Sequence, residues 1–79
     1  MRYRLGRLRV LSGSDLCQIL KDNGFAAVRQ RGSHRIMQKR VEGTTITVPV
    51  PLHDSVRRGT LLSIVRQSGL PRTLFETDE

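Results

Sequence analysis

The amino-acid sequence predicts an α+β domain with the element order α-β-β-β-α. Two stretches, one on each side of the chain's centre, place apolar residues at helical spacing. Between them, three stretches suited to strands are separated by short turns that contain glycine. Strands that are joined by short turns pair antiparallel. With only one sheet available, two amphipathic helices can bury all the apolar residues only if both pack on the same face of that sheet. We therefore expect a three-stranded antiparallel sheet with two helices on one face.

The first predicted helix covers residues 13–23. Ser12 and Asp15 form a variant of the capping box before it, and Asn23-Gly24 supplies its stop because glycine adopts the left-handed conformation without penalty. A loop over residues 52–59 leads into the second helix, which should begin at Thr60 and end at Ser68-Gly69. Pro71 then opens a short tail that is expected to be partly helical.

The three predicted strands cover residues 25–31, 34–39 and 44–50. In the third, β-prone residues alternate between two faces. Its expected buried side chains are Ile46, Val48 and Val50, and its expected outward ones are Thr45, Thr47 and Pro49. Pro49 and Pro51 cannot donate to a ladder, so the end of this strand should lie at an edge or at the exit of the sheet.

The length of 79 residues suffices for one domain with a thin core. We expect a basic N-terminal arm over residues 1–11, a functional domain over 12–70 and a short acidic tail over 71–79. The single cysteine, Cys17, cannot form an internal disulfide. No run approaches the roughly 18 apolar residues of a membrane span. These features predict a cytoplasmic protein that does not enter a membrane.

The charge balance predicts a polyanionic partner. Lysine and arginine together number 14 against seven acidic residues, for a net charge of +7. Twelve of the 14 are arginines, whose planar fork of donors fits phosphate oxygens two at a time. A solvated basic surface without a partner is the alternative, but uncompensated like charge costs stability.

The candidate working residue is His34, which follows the Gly32-Ser33 turn between the first two strands. Imidazole is the side chain that ordinarily titrates near neutral pH, so it can exchange protons there. From the residues alone, an ordinary role is equally tenable: Gly32 supplies a turn with positive φ and His34 is an exposed strand residue. Basic residues surround the turn and continue along the next strand, and these candidate phosphate-binding residues are Arg29, Arg31, Arg35, Lys39 and Arg40.

The chain resembles the HicA family of bacterial toxins, which are messenger-RNA interferases of HicA–HicB toxin–antitoxin pairs. The resemblance covers about residues 12–70 and rests on several patterns in the same order and at matching spacings. These are Leu16 to Leu20, Asn23-Gly24-Phe25, Arg31-Gly32-Ser33-His34, Thr45-Ile46-Thr47-Val48-Pro49 and Gly59-Thr60-Leu61 with Gly69-Leu70. The arm before Ser12 lies outside it.

The resemblance implies a double-stranded-RNA-binding-domain-like fold, ribonuclease activity on mRNA without a metal or other cofactor, and inhibition by a HicB-type antitoxin. It also implies that His34 is the catalytic residue, since the family's catalytic histidine follows Gly-Ser. Many members carry a second histidine next to it, where this chain has Arg35. That departure puts in doubt any scheme in which adjacent histidines share the acid and base roles.

Metal-free RNA cleavage needs a group that takes a proton from the ribose 2′-hydroxyl and one that gives a proton to the leaving 5′-oxygen. His34 suits one role, Arg31 and Arg35 suit charge stabilisation, and His53 is a possible helper. The two histidines stand 19 residues apart without paired carboxylates nearby, which does not suggest a metal site. The alternatives are a non-catalytic double-stranded-RNA-binding module and a structural basic protein of a ribonucleoprotein particle.

Overall fold

The computed structural model describes residues 7–77 and has two helices, a three-stranded sheet and a short two-stranded ribbon. The elements in chain order are β1 (Arg7–Leu8), α1 (Gly13–Asp22), β2 (Ala26–Arg31), β3 (His34–Val41), β4 (Thr44–Pro51), α2 (Arg58–Ser68), a 3₁₀ helix (Arg72–Phe75) and β5 (Glu76–Thr77). The larger sheet has the antiparallel order β2-β3-β4. The predicted α+β class and three-stranded antiparallel sheet are therefore confirmed, and the architecture is consistent with a double-stranded-RNA-binding-domain-like fold.

Helix α1 begins at the predicted capping box. The Ser12 hydroxyl accepts from the Asp15 backbone N–H at 2.9 Å, and the Asp15 carboxylate accepts from the Ser12 N–H at 3.1 Å. These bonds satisfy two of the donors that a helix start otherwise leaves without partners. At the other end Gly24 has φ of +95°, as a helix stop requires.

One face of the sheet packs against the helices, and the other, which we call the open face, is mostly exposed, with only Ile36 and Pro51 buried on it. Met37 from β3 and Val48 and Val50 from β4 are buried in a core that the two helices complete. The helix residues in that core are Leu16, Cys17 and Leu20 of α1 and Leu61, Ile64 and Val65 of α2. On β4 the outward residues Thr45, Thr47 and Pro49 are exposed, as predicted. All six residues of β2, one of the two edge strands, are exposed.

Both helices start at the same end of the sheet, which we call the turn end: the end with the β2–β3 turn and the last residue of β4. A Cβ on Gly13, at the start of α1, would lie 2.0 Å from the carbonyl oxygen of Pro51. A Cβ on Gly69, just after α2, would lie 4.0 Å from Ile46 Cδ1, near the opposite end of β4. Helix α2 therefore runs antiparallel to β4, and its N-terminus also lies at the turn end.

The β1–β5 ribbon joins the two segments that the sequence assigned to an arm and a tail. Arg7 pairs with Thr77 and Leu8 with Glu76. Next to this ribbon, Leu11 and Phe75 are 2% and 0% exposed and belong to the same core as the helices. Both segments that flank residues 12–70 thus contribute to the core. The predicted arm's residues 1–6 and the tail's residues 78–79 lie outside the described residues.

Within residues 7–77, no helix combines the length and the apolar character that crossing a membrane requires.

Candidate functional site

His34 is the first residue of β3 and is exposed. Its Cα partners are Arg31 on β2 and Pro51 on β4, so it is flanked on both sides. The turn before it is held in place: Gly32 has φ of +58°, and the Ser33 carbonyl accepts from the Leu52 N–H at 2.7 Å. The imidazole is therefore carried on regular backbone at the turn end and is open to solvent.

Strand alternation decides which basic side chains share the face of His34. Residues directly opposite each other in an antiparallel sheet lie on the same face, and every second residue along a strand does too. Arg31 is opposite His34 and Arg29 is opposite Ile36, so both share the open face with His34. Arg40 is also on this face, but it is six residues along β3, about 20 Å from His34.

Arg35 and Lys39 are directed to the other face. The positive charge of Arg35 reaches the Cys17 thiol on α1: burial raises the pKa of that thiol, and Arg35 partly opposes the increase. Arg35 also lines a groove of about 400 Å³ between α1 and β2. Lys39 places its ammonium nitrogen 5.8 Å from the centre of the Phe25 ring. The five predicted phosphate-binding residues are thus divided between the two faces.

His53 is exposed and lies two residues beyond Pro51, the cross-strand partner of His34. Its carbonyl accepts from the Gly13 N–H at 2.9 Å, which ties the loop after β4 to the start of α1. The structure therefore brings both histidines to the turn end. A helper role for His53 stays a prediction.

The starts of the two helices differ electrostatically. Each helix carries a partial positive charge at its N-terminus, and at α1 the Asp15 carboxylate balances that charge. Helix α2 has no side-chain cap and no acidic residue in its first turn, and Arg57 and Arg58 stand there instead. No sequence pattern singled out these two arginines. Their adjacency was visible, but their position at the same end as His34 follows only from the direction of α2 along β4.

Across the described range 7–77, the His, Cys, Asp and Glu side chains do not assemble in groups of three that could hold a metal ion. The site comprises the exposed His34 imidazole, the guanidinium groups of Arg29 and Arg31 on the same face, and, at the same end, the uncapped N-terminus of α2. This arrangement can bind an anion and exchange a proton beside it.

Comparison with known proteins identifies the family. A family model described as the HicA toxin of bacterial toxin-antitoxin systems matches residues 13–70, well over half of the chain. No curated protein matches the chain significantly. The matched range runs from the first residue of α1 to just beyond the end of α2, so it contains the whole three-stranded sheet, the turn and both histidines. The chain belongs to the HicA toxin family of bacterial toxin–antitoxin systems.

Proposed function

We propose that this chain is the toxin of its toxin–antitoxin pair by virtue of a metal-independent endoribonuclease activity on mRNA, with His34 as the catalytic residue. The observation that carries the proposal is the exposed His34 imidazole on the open face, opposite Arg31, in a chain of the HicA toxin family. An open cationic face suits a large polyanion, and an imidazole beside it suits proton transfer.

In the proposed reaction the ribose 2′-oxygen attacks the adjacent phosphorus while the bond from phosphorus to the 5′-oxygen breaks. One proton leaves the 2′-hydroxyl, another joins the departing 5′-oxygen, and the products are a 2′,3′-cyclic phosphate end and a 5′-hydroxyl end. His34 performs one of these transfers, a role that typically contributes about 10²- to 10⁴-fold. His53 at the same end is the candidate for the other.

The developing negative charge on the phosphoryl oxygens requires fixed donors. Arg31 and Arg29 meet this requirement because they share the face of His34, and charge-assisted bonds from guanidinium groups are strong and can be bidentate. Arg35, proposed for the same role from its position next to His34, lies on the helix side near Cys17. The placement favours Arg31 over Arg35 as the partner of the phosphate.

Control by a HicB-type antitoxin is part of the same proposal. The basic open face at His34 suits an acidic partner, since complementary charge speeds the encounter of two proteins. Such an antitoxin would silence the toxin by covering His34 and the β2–β3 turn. An antitoxin bound there should protect RNA in proportion to the amount of complex formed.

His34→Ala tests the catalytic assignment. The variant should lose at least about 100-fold in cleavage rate and the ability to arrest growth, while it still binds RNA. Cleavage by the unmutated protein should persist in EDTA. His53→Ala, measured alongside, shows whether the second histidine contributes. If the unmutated protein binds RNA but leaves it intact, the catalytic proposal fails and the non-catalytic RNA-binding module replaces it.

A deoxyribose at the scissile position tests the nucleophile. Because the attacking group is the 2′-hydroxyl, an oligonucleotide with this single substitution should bind and survive. The matched all-RNA oligonucleotide should be cut. Cleavage of both at similar rates would contradict the mechanism.

Arg31→Gln and Arg35→Gln form a matched pair that separates the two faces of β2 and β3. We expect Arg31→Gln to reduce the cleavage rate by about tenfold or more, since it removes a donor from the face of His34. Arg35→Gln removes the same charge on the helix side and should have the smaller effect. Equal losses in the two variants would show that net charge, and not the position of Arg31, supports cleavage.

A further inference from the structure

A second cationic site lies away from His34, in a groove lined by three arginines and one leucine. The lining residues are Arg7 of β1, Leu8, Arg58 at the start of α2 and Arg72 of the 3₁₀ helix. We refer to it as the arginine groove. Its volume is about 490 Å³, large enough for a phosphate group with its neighbouring sugar. Two of its three arginines, Arg7 and Arg72, stand outside the range 13–70 that matches the family.

Among residues 7–77, the charge in the arginine groove is only partly balanced. Arg72 donates through Nε to the Glu76 carboxylate at 2.6 Å, an ion pair whose acidic partner is largely buried. This bond fixes the Arg72 guanidinium and leaves its two terminal amino groups as donors for a ligand. In the part of the chain that the structure describes, Glu76 pairs with Arg72, and Arg7 and Arg58 form no ion pair. The uncapped start of α2 adds partial positive charge at Arg58, and a bound anion would relieve the repulsion among these described groups.

The position of the groove relative to His34 indicates which anion it takes. Helix α2 begins at the turn end, and Arg58 is seven residues after Pro51, the cross-strand partner of His34. The loop between them is tied down by the bonds from the Gly13 N–H to the His53 carbonyl and from the Val56 N–H to the Leu11 carbonyl, both 2.9 Å. These bonds hold Arg58 at the same end of the molecule as His34.

We propose that the arginine groove binds a backbone phosphate of the same RNA whose scissile phosphate lies at His34, at a position several nucleotides away. The inference rests on the proposed ribonuclease function and extends it. Guanidinium forks suit phosphate oxygens, and contacts of this kind fix the position of a nucleic acid without reading its sequence. The pairing of β1 with β5 then serves to hold Arg7, on β1, and Arg72, in the 3₁₀ helix before β5, beside the start of α2.

The test measures how RNA binding depends on salt. The probe is a labelled single-stranded RNA of about 15 nucleotides, long enough to reach both sites, and the full chain carries His34→Ala so that the RNA survives. Arg7→Gln and Arg58→Gln, each added to this background, should weaken binding by about 3- to 10-fold. Affinity falls as salt rises, and each variant should make this dependence less steep: the magnitude of the slope of log affinity against log salt should decrease by about 0.7, the value for one phosphate contact on a single strand.

Arg66→Gln is the matched control. Arg66 is an exposed arginine on the same helix, in its last turn and so at the opposite end of the molecule. This variant loses the same charge and should retain the affinity and the salt slope. A labelled trinucleotide, too short to span both sites, should lose less affinity from Arg7→Gln than the longer RNA does.

The outcomes separate this inference from the function on which it rests. Failure of the unmutated chain to cut RNA would refute the ribonuclease proposal, whereas the binding slopes are measured independently of cleavage. If the chain cuts RNA but Arg7→Gln and Arg58→Gln keep the slope of the Arg66→Gln control, the groove does not bind RNA. If Arg7→Gln and Arg58→Gln weaken binding of an acidic antitoxin protein and leave RNA binding unchanged, the inference is likewise overturned and the groove is a protein contact.

Discussion

At the scale of single residues, Gly13 is the position at which the start of α1 packs against the end of β4 and the loop that carries His53. A Cβ at this position would lie 2.0 Å from the Pro51 carbonyl oxygen and 2.7 Å from the Leu52 Cα. Both obstacles are backbone atoms, which cannot rotate away as a side-chain end can. The absence of a side chain at Gly13 is therefore what allows α1 to start against the end of β4, beside His53.

Gly13→Ala should destabilise the protein by about 2 to 3 kcal/mol, because the added methyl group forces the start of α1 away from β4. Chemical denaturation measures the loss. Gly59→Ala is the control: Gly59 lies in the first turn of α2 with open space around it, so alanine there should stabilise by about 0.5 to 1 kcal/mol. A Gly13→Ala variant as stable as the unmutated chain would show that α1 does not approach β4 so closely.

The residue scale also shows what the sequence could and could not supply at the candidate site. Arg31, His34 and Arg35 are close in sequence and surround the turn, which groups them in one predicted site. Adjacent residues on a strand point to opposite faces, however, so His34 and Arg35 had to separate once β3 began at His34. The start of this strand was predicted correctly at residue 34, so alternation alone was enough to place Arg35 on the face opposite to His34. Which of the two faces the helices cover depends on their packing, and that is where the tertiary structure was needed.

At the scale of elements, the start of α1 shows how well local chemistry predicts structure. The capping box depends on four consecutive residues and is present as expected from Ser12 and Asp15. Hydrogen bonds from Ser12 lower the pKa of the Asp15 carboxyl below its ordinary value of 3.8. A carboxyl whose pKa is lowered on folding adds stability above its unfolded value, and that contribution is lost as the pH falls through the lower folded value.

Asp15→Asn tests this linkage. Asparagine keeps the size of the side chain but has no charge, so the variant should be less stable than the unmutated chain at neutral pH. The difference in free energy of unfolding between the two chains should shrink as the pH falls below 3.8, because Asp15 of the unmutated chain is then protonated and, like asparagine, carries no charge. A difference that stays constant down to pH 2, about two units lower, would contradict a capping role for the charge.

Other elements depend on contacts that no local pattern specifies. Strand β2 has an irregularity between Ala27 and Arg29. In a regular strand these two residues would share a face, but here Ala27 lies opposite Met37 on the core face and Arg29 lies opposite Ile36 on the open face. The two-residue strands β1 and β5 are too short to show alternation, and their partners are separated by nearly the whole chain. These features require the tertiary structure, because one extra residue in a strand and one distant pairing leave no periodic signal.

At the scale of the whole molecule, the core extends beyond the range that matches the family. The Arg9 N–H donates to the Phe75 carbonyl at 2.9 Å, which extends the contact between β1 and the C-terminal segment. Phe75 is completely buried, and its ring belongs to the core shared by both helices and the sheet. A domain of this size is stable by only about 4 to 12 kcal/mol, so one large buried side chain supplies a substantial share.

Phe75→Ala should therefore cost about 3 to 5 kcal/mol and leave the protein partly unfolded at 37 °C, because it opens a cavity in a thin core. Leu74→Ala is the control, since Leu74 is 36% exposed and its loss should change stability by no more than about 0.5 kcal/mol. Thermal unfolding of the two variants compares them directly. If Phe75→Ala melts like Leu74→Ala, the C-terminal segment is dispensable for the core, and the β1–β5 ribbon would not be expected to hold Arg7 and Arg72 beside α2.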